Sequence, residues 1–231
     1  MTFTLDKVVP WGRSFDEYVA MFALTPTDLR RRILGCGDGP AAFNSVANRS
    51  GGGVVSVDPI YDASVDQLRE MIDDVFNSVL EETERNKHEF VWRHVTSVAE
   101  LGRLRRSAME EFLADYPQGT QEYRYVAAEL PSLPFMNQTF ELAVCSHFLF
   151  LYSEQFDLDF HLDSIRELCR VAEEVRIFPL LELGARKSRH LGPLITALSQ
   201  EGLQPELVTV DYEFQKGANQ MLRLGSRLQP D

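Results

Sequence analysis

The chain has few cysteines and no long apolar run. Only three of its 231 residues are cysteines, Cys36, Cys145 and Cys169, and no two of them form a CxxC pair. This argues against a disulfide framework or a structural zinc site and fits a reducing compartment. The longest apolar stretch, residues 148–152, is far shorter than the roughly 20 residues that cross a bilayer. Because the N-terminus also lacks a basic and apolar signal, we expect a cytoplasmic protein without a membrane partner.

Basic residues are outnumbered. The chain has 35 acidic and 23 basic residues, a formal charge of −12. A surface of this sign repels nucleic-acid phosphates, so we do not expect nucleic acid as a partner. With 44% apolar and 25% charged residues, the composition is that of a globular protein. We expect a single domain over residues 1–231, which is long enough to bury a full core.

The first part of the chain carries a strand–loop–helix–strand pattern. It follows a helix predicted at 14–24, in which Ser14 is the N-cap and Glu17 completes a capping box. The strand, glycine cluster, helix and second strand fall at residues 32–34, 35–40, 41–50 and 54–58. Together they predict a βαβ unit.

The alternation of strands and helices returns after residue 122. Strands fit residues 123–128, 140–145, 174–183, 206–214 and 220–224, and helices fit residues 159–173 and 188–201. Pro179 implies a bulge or an end in the third of these strands, and the last two strands are expected to pair as a hairpin. The pattern predicts an α/β fold with a doubly wound, mostly parallel seven-stranded sheet, in which the last strand is antiparallel.

Residues 62–122 are too long for a simple crossover and predict a helical insertion. Helices fit 65–83 and 98–115, and the sequence PQG at 117–119 is expected to end the second. The insertion carries 14 acidic and 7 basic residues, which is −7 of the total charge. We expect this insertion to cover the substrate pocket and to favour neutral or cationic substrates. The alternative is a stabilising element or an interface, so an oligomer formed through these residues stays open.

Glycines at 35, 37 and 39 form a G-x-G-x-G loop between strand and helix. Such a loop lets a ligand approach the backbone and exposes the free N–H groups at the helix start. A dinucleotide fingerprint would need glycine where Pro40 or Ala42 stands, and no lysine follows for a P-loop. Asp58, at the end of the next strand, is placed to accept the hydroxyls of a ribose, although Asp-Pro also closes many strands as a plain turn.

Four blocks in order carry a family resemblance: ILGCGDG (33–39), VVSVD (54–58), Glu129 ahead of LPF (133–135), and FELAVCSH (140–147). They resemble the class I S-adenosylmethionine-dependent methyltransferases. Longer stretches such as ILGCGDGPAAFN and CSHFLFLYSE resemble bacterial methyltransferase-like proteins of unassigned substrate. The family has an acid two positions before the first glycine, whereas this chain has Ile33.

The resemblance implies a cofactor site for S-adenosylmethionine. The glycines would pass under the cofactor, the acid after the second strand would hold its ribose, Glu129 would meet the adenine amino group, and the end of the fourth strand would lie near its methionine part. The residues implied are Gly35, Cys36, Gly37, Asp38, Gly39, Asp58, Pro59, Glu129, Leu130, Cys145 and Ser146.

Further side chains have two interpretations each. His147, just after a parallel strand, is a candidate general base, or a histidine bonded to its own loop. Tyr18 and Tyr152 could line the pocket, or be ordinary partly buried tyrosines. Arg13, and Arg189 with His190, could meet an anionic substrate, or lie on a solvated surface.

We expect no metal site. The acids around His161, at positions 157, 159 and 163, cannot all face it and are interpreted as charges at a helix start.

The resulting hypothesis is a methyltransferase that acts on a small-molecule acceptor. The alternative is a non-catalytic methyltransferase-like protein that binds the cofactor or regulates a partner, and Ile33 keeps it open. A nicotinamide oxidoreductase is disfavoured by Pro40.

Overall fold

A central seven-stranded sheet organises the chain. The computed structural model describes residues 8–93 and 95–225. The strands are β1 (Arg32–Cys36), β2 (Gly53–Val57), β3 (Tyr125–Val126), β4 (Leu142–Ser146), β5 (Glu174–Phe178), β6 (Pro205–Thr209) and β7 (Gln220–Gly225). Their order across the sheet is β3-β2-β1-β4-β5-β7-β6. Six strands share one direction, and β7 is antiparallel to both its neighbours. The predicted fold class is therefore confirmed.

Helices cover both faces of the sheet. They are α1 (Phe15–Met21), α2 (Phe43–Arg49), α3 (Val65–Arg85), α4 (Val98–Gln121), α5 (Leu158–Val171) and α6 (Leu191–Gln200). Because side chains alternate along a strand, Leu34 packs with α5 and α6 while its neighbour Ile33 packs with α1 and α2. The predicted capping box of α1, between Ser14 and Glu17, is present.

Of the two predictions about prolines, one is wrong and one is confirmed. The prediction that the sequence PQG ends α4 is wrong, because the helix runs through Pro117 to Gln121. Tertiary contacts hold this turn: the Tyr116 hydroxyl donates to the carbonyls of Tyr61 and Ala63, at 2.7 and 3.1 Å. The prediction of a strand end at Pro179 is confirmed, since β5 stops at Phe178. Residues beyond it form a short hairpin, Leu181–Glu182 with Arg186–Lys187.

The long crossover from β2 to β3 contains α3 and α4. The two helices pack closely, with the Leu80 side chain resting against Gly102. Leu68, Ile72, Met109 and Phe112 form a cluster with Tyr125 of β3, which joins the insertion to the sheet. Within the described ranges, no helix is both long and apolar enough to cross a membrane.

Candidate functional site

A cavity of about 600 Å³ opens at the carboxyl ends of the parallel strands. Its wall includes residues 37–39 after β1, 58–59 after β2, 128–131 after β3 and 146–148 after β4. The strand order reverses between β1 and β4, and doubly wound sheets bind ligands at this position. The volume lies within the range of small-molecule pockets.

The glycine loop presents bare backbone to the cavity. Gly37 and Gly39 have φ values of +65° and +53°, which residues other than glycine rarely adopt. A Cβ on Gly39 would find only the Asp58 carboxylate, 3.9 Å away. The loop therefore leaves open space for a ligand beside Gly39.

Gly35 lies under a side chain of the glycine loop itself. A Cβ at this position would fall 1.8 Å from Oδ2 of Asp38, whose carboxyl folds back over the glycine. That carboxyl accepts hydrogen bonds from the Tyr18 hydroxyl at 2.8 Å and the Ser56 hydroxyl at 2.6 Å. Burial raises the pKa of Asp38 to about 7. Gly35 therefore makes room for an acidic side chain of the protein itself.

Two of the residues predicted to touch the cofactor, Gly35 and Cys145, are absent from the described cavity wall. Cys145 is fully buried beside Cys36, its register partner on β1, and only Cys36 of this pair reaches the cavity. Ile33 also lies away from the cavity, fully buried in the apolar core against α1 and α2. Ile33, which stands where the resembling family has an acid, is therefore part of the core and not of the described cavity wall.

Asp58 shapes the glycine loop from the neighbouring strand. Its Oδ2 accepts a hydrogen bond from the Gly39 N–H at 2.8 Å, and Oδ1 accepts from the Ile60 N–H at 3.1 Å. Burial, with a contribution from Glu129, raises the pKa of Asp58 to about 6. Each carboxylate oxygen can accept a second hydrogen bond, so the group retains capacity for a ligand in the cavity.

Glu129 extends the acidic end of the cavity. Its side chain is exposed and forms neither a hydrogen bond nor an ion pair with any described residue. Its backbone carbonyl accepts from the Ser132 N–H at 3.2 Å. Leu130 and Pro59, also predicted, line the same wall. A carboxylate in this state is free to accept a hydrogen bond from a ligand.

His147 lies in the cavity wall in a strained conformation. Its φ is +52°, which is uncommon for residues other than glycine or asparagine and recurs at functional sites. The backbone N–H donates to the Phe178 carbonyl at 2.6 Å, and Nδ1 lies 3.0 Å from the Ser146 hydroxyl oxygen. Burial and then the cations of Arg13 and Arg105 lower the pKa of His147 well below its usual value. The imidazole is therefore neutral near pH 7.

A chain of polar groups runs from His147 towards the glycine loop. Burial and Asp38 raise the pKa of Tyr18, and a hydrogen bond from Ser146 opposes the rise. Tyr18 in turn donates to Asp38, and its ring stacks on Phe43 with centroids 4.6 Å apart. Tyr18 thus lines the cavity and holds the Asp38 carboxyl of the glycine loop.

The cavity wall also carries two arginines, Arg13 and Arg105, of which the sequence predicted only Arg13. Arg105, only 1% exposed, forms a bidentate ion pair with Glu17, at 2.5 and 2.7 Å, and Tyr212 also donates to Glu17, at 2.8 Å. Although burial alone raises it, the pairing with Arg105 lowers the pKa of Glu17 to about 2. A sequence signal existed, since Arg105 falls on the apolar stripe of α4, four residues after Leu101.

The insertion lines the cavity without its negative charge. It contributes Met71, Val79, Thr83, Phe90, Leu101 and Arg105 to the described wall, and no acidic side chain. Acidic residues such as Asp73 and Glu110 are 55% and 46% exposed and pair with arginines on the outer surface. The negative charge of the insertion therefore lies outside the described cavity wall, and its influence on the choice of acceptor stays a prediction.

Of the remaining candidates, Arg13 and Tyr152 line the cavity, whereas Arg189, His190 and His161 are absent from its described wall. Arg189 pairs with Glu182 near the surface, and Nε2–H of His190 donates to the carbonyls of Ser153 and Phe156. His161 is a buried core histidine between two carbonyls. No group of three or more acidic, histidine or cysteine residues within 8–93 and 95–225 is arranged to hold a metal ion.

The fold and the site together define a class. The strand order, the antiparallel last strand and the glycine-loop cavity at the switch point are those of the class I methyltransferase fold. The chain is 32% identical over 220 residues to an uncharacterized protein, MJ0045, of Methanocaldococcus jannaschii. The aligned region covers 94% of this chain and 96% of that protein. It belongs to the same family as this archaeal protein.

Other comparisons add little. No family model matches the chain. Among solved structures, it is similar to magnesium protoporphyrin IX methyltransferase from Synechocystis PCC 6803 with bound SAM, at 11% identity and a TM-score of 0.49, over 92% of this chain and 77% of that one. It is also similar to a TehB-like SAM-dependent methyltransferase from Corynebacterium glutamicum, at 15% identity and a TM-score of 0.48, over 91% and 86% of the two chains. Similarities at this level do not bear on the ligand or activity of this chain.

Proposed function

We propose that the protein is an S-adenosylmethionine-dependent methyltransferase that acts on a small-molecule acceptor. One observation carries the proposal: a backbone-lined glycine turn at the β1–β4 switch point, hydrogen-bonded to the half-buried Asp58, faces a cavity of ligand size. The turn supplies close approach, and the carboxylate supplies an acceptor for hydroxyl groups.

The residues present fit this cofactor. Gly37 and Gly39 would lie against it, Asp58 would accept from the ribose hydroxyls, and the free carboxylate of Glu129 would accept from the adenine amino group. The raised pKa of Asp58 and its remaining lone pairs mark a carboxyl that lacks enough donors within the protein. Hydroxyl groups of a ribose would supply them.

The cofactor supplies an electrophilic methyl group, so the protein's task is mainly to hold a nucleophile in line with it and to exclude water. A neutral nucleophile also loses a proton when it is methylated. His147 is the candidate base for this proton, because it is neutral, lies in the cavity wall and has a strained backbone that fixes its position.

One hydrogen-bond arrangement at His147 gives the tautomer that a base requires. Nδ1 lies 3.0 Å from the Ser146 hydroxyl oxygen, and when Nδ1 carries the proton it donates to Ser146. Nε2 is then left with its lone pair available to take a proton. Ser146 acts here as a positioning residue.

The insertion supports a small acceptor. Val79, Leu101 and Phe90 lie on the same cavity as the glycine loop, so α3 and α4 close over the space next to it. We propose that residues 62–122 act as a cover for the acceptor. An additional role as an interface between subunits stays a prediction.

The experiment is a transfer assay with methyl-labelled S-adenosylmethionine and a panel of small amines, phenols and carboxylic acids. Formation of S-adenosylhomocysteine is the quantity measured. We expect acceptor-dependent product, and a His147→Gln variant that loses turnover at least 10-fold while its affinity for S-adenosylhomocysteine stays within twofold. If the protein binds S-adenosylhomocysteine but forms no product with any acceptor, the non-catalytic alternative replaces this proposal.

A further inference from the structure

Arg13 is a cation in the cavity wall without an anionic partner among the described residues. Its Nε is buried and unbonded, and the hydrogen bond that its guanidinium makes among the described residues is a long one, from Nη1 to the Trp11 carbonyl at 3.4 Å. No described carboxylate lies within ion-pair distance of it. Burial and the neighbouring Arg105 lower its pKa. An unpaired guanidinium with a buried Nε is costly, so its position calls for a partner that the described residues do not supply.

The local charge balance points the same way. Arg13 and Arg105 lie close together, and the single carboxylate between them, Glu17, is fully engaged by Arg105 and Tyr212. The Nε of Arg105 is also buried and unbonded. Two cations therefore share one anion, which leaves one positive charge facing the cavity.

The Tyr152 hydroxyl is a second hydrogen-bond donor in the cavity wall. Tyr152, 3% exposed, accepts a hydrogen bond from the Val9 N–H at 3.3 Å, and its own proton has no acceptor among the described residues. Arg13 lies near enough to lower the pKa of Tyr152, against the larger effect of burial. Both side chains line the cavity. A guanidinium and a hydroxyl that line the same cavity with free donors are suited to a carboxylate.

Acidic and cationic groups both line the cavity. The pKa values of Asp38 and Asp58 are raised by burial and by acidic neighbours, whereas Arg13 and Arg105 act on His147, Tyr152 and Tyr212. Aromatic side chains form part of the wall, among them the stacked pairs Phe156–Phe160 and Phe90–Phe214. Arg13 is therefore a cation in a cavity with a substantial aromatic wall.

We propose that the methyl acceptor carries a carboxylate on an apolar or aromatic body, and that Arg13 with Tyr152 binds this carboxylate. The inference rests on the proposed methyltransferase function. It also reverses the expectation, drawn from the charge of the insertion, that acceptors are neutral or cationic. An anion on Arg13 would offset one of the two cations that act on His147 and so restore part of its basicity when the acceptor is in place.

Paired probes test the proposal: benzoate against benzamide, and octanoate against octanamide, titrated with and without S-adenosylhomocysteine. We expect the wild type to bind each carboxylate at least 10-fold more tightly than its amide. Arg13→Gln should remove this preference and leave amide binding unchanged. Arg69→Gln is the matched control, since it removes the same charge from the insertion surface, where Arg69 is 46% exposed. A wild type that shows no carboxylate preference would overturn the proposal.

A second arm separates the acceptor from the cofactor, whose methionine part also has a carboxylate. S-adenosylhomocysteine and 5′-methylthioadenosine, which lacks that carboxylate, are titrated into wild type and Arg13→Gln. We expect affinities within twofold for both ligands. A tenfold loss for S-adenosylhomocysteine alone would assign Arg13 to the cofactor and overturn the proposal. Failure of the wild type to bind either adenosine ligand would instead refute the proposed function, while the carboxylate–amide comparison without them still tests Arg13.

Arg13→Gln should fold, because the change removes an unpaired buried charge and one weak hydrogen bond. We expect its melting temperature without ligand to equal or exceed that of the wild type, whereas Arg69→Gln leaves it unchanged. A clear drop in the melting temperature of Arg13→Gln would mean that the guanidinium stabilises the fold, which contradicts its assignment as an unsatisfied ligand-binding group.

Discussion

At the residue scale, the site is a set of charged side chains that the protein satisfies to different degrees. Glu17 and Arg105 satisfy each other, Asp38 is held by two hydroxyl groups, and Arg13 and Glu129 keep free donors or acceptors. Residues of the last kind are candidates for ligand contact, because both line the cavity and the buried Nε of Arg13 lacks the partner that buried polar groups normally have.

Glu129 offers a direct test of the adenine contact. Glu129→Gln keeps an oxygen acceptor, whereas Glu129→Ala removes it, so we expect a graded loss of affinity for S-adenosylhomocysteine, of about 0.5–1.5 kcal/mol for the alanine variant. Calorimetric titration of both variants measures it. Because the exposed side chain of Glu129 has no hydrogen-bond or ion-pair partner among the described residues, neither change should alter the melting temperature. Wild-type affinity in both would remove Glu129 from the site.

Asp38 predicts a pH-dependent stability. Its pKa is about 7 in the folded protein, against 3.8 for an ordinary aspartate, so the folded state binds the proton more tightly. Its contribution to stability is therefore fully present below pH 3.8 and is lost as pH rises through 7. Asp38→Asn cannot ionise.

The free energy of unfolding of this variant, relative to wild type, should rise with pH between about 4 and 7, by up to about 1.4 kcal/mol per pH unit. Chemical denaturation at several pH values checks this. The comparison isolates Asp38 because other groups, including His147 with its opposite pKa shift, are common to both proteins. A difference that does not change with pH would show that Asp38 titrates normally.

At the element scale, a buried ion pair fastens the insertion to the first helix. Arg105 of α4 reaches Glu17 of α1, and the exposed fractions of the two side chains are 1% and 17%. Removing one partner leaves the other charge buried without compensation, which typically costs 3–5 kcal/mol. Replacing both by apolar residues avoids that penalty.

We therefore expect Arg105→Met to lower the melting temperature by roughly 6–20 °C, given about 2–4 °C per kcal/mol for a protein of this size. The double variant Arg105→Met/Glu17→Leu should recover most of the loss, which thermal denaturation monitored by circular dichroism would show. The surface pair Arg69–Glu110 serves as control, with an effect near zero for Arg69→Met. Equal effects of the single and double variants would mean that lost packing, not the charge, sets the stability.

At the scale of the whole molecule, the sequence predicted the architecture but not the charge layout of the cavity. The periodicity of apolar residues and the turn residues were enough to predict the βαβ unit and the closing hairpin, because these signals are local. The path of α4 through Pro117 could not be predicted, since contacts of Tyr116 with a segment 55 residues away stabilise it. For the same reason the pairing of Glu17 with Arg105, 88 residues apart, has no local signature.

The loop glycines illustrate the limit within a motif. The G-x-G-x-G spacing placed the ligand end of the sheet, yet Gly35 proved to accommodate the Asp38 carboxyl, a side-chain orientation that spacing does not encode. Likewise, net charge over residues 62–122 says nothing about which side chains face inward. Only the fold turns the acids outward and Arg105 inward.

The central claim is that the glycine loop and Asp58 form a cofactor site, and calorimetric titration of S-adenosylhomocysteine into wild type and Asp58→Ala tests it most directly. The account predicts binding by the wild type and a loss of about 1.5–3 kcal/mol, or roughly 10–150-fold, in the variant, because a charge-assisted hydrogen bond to the ribose is removed. Asp163→Ala, at an aspartate 58% exposed on α5, should bind like the wild type. Absence of binding by the wild type, or unchanged affinity in a folded Asp58→Ala variant, would contradict the account.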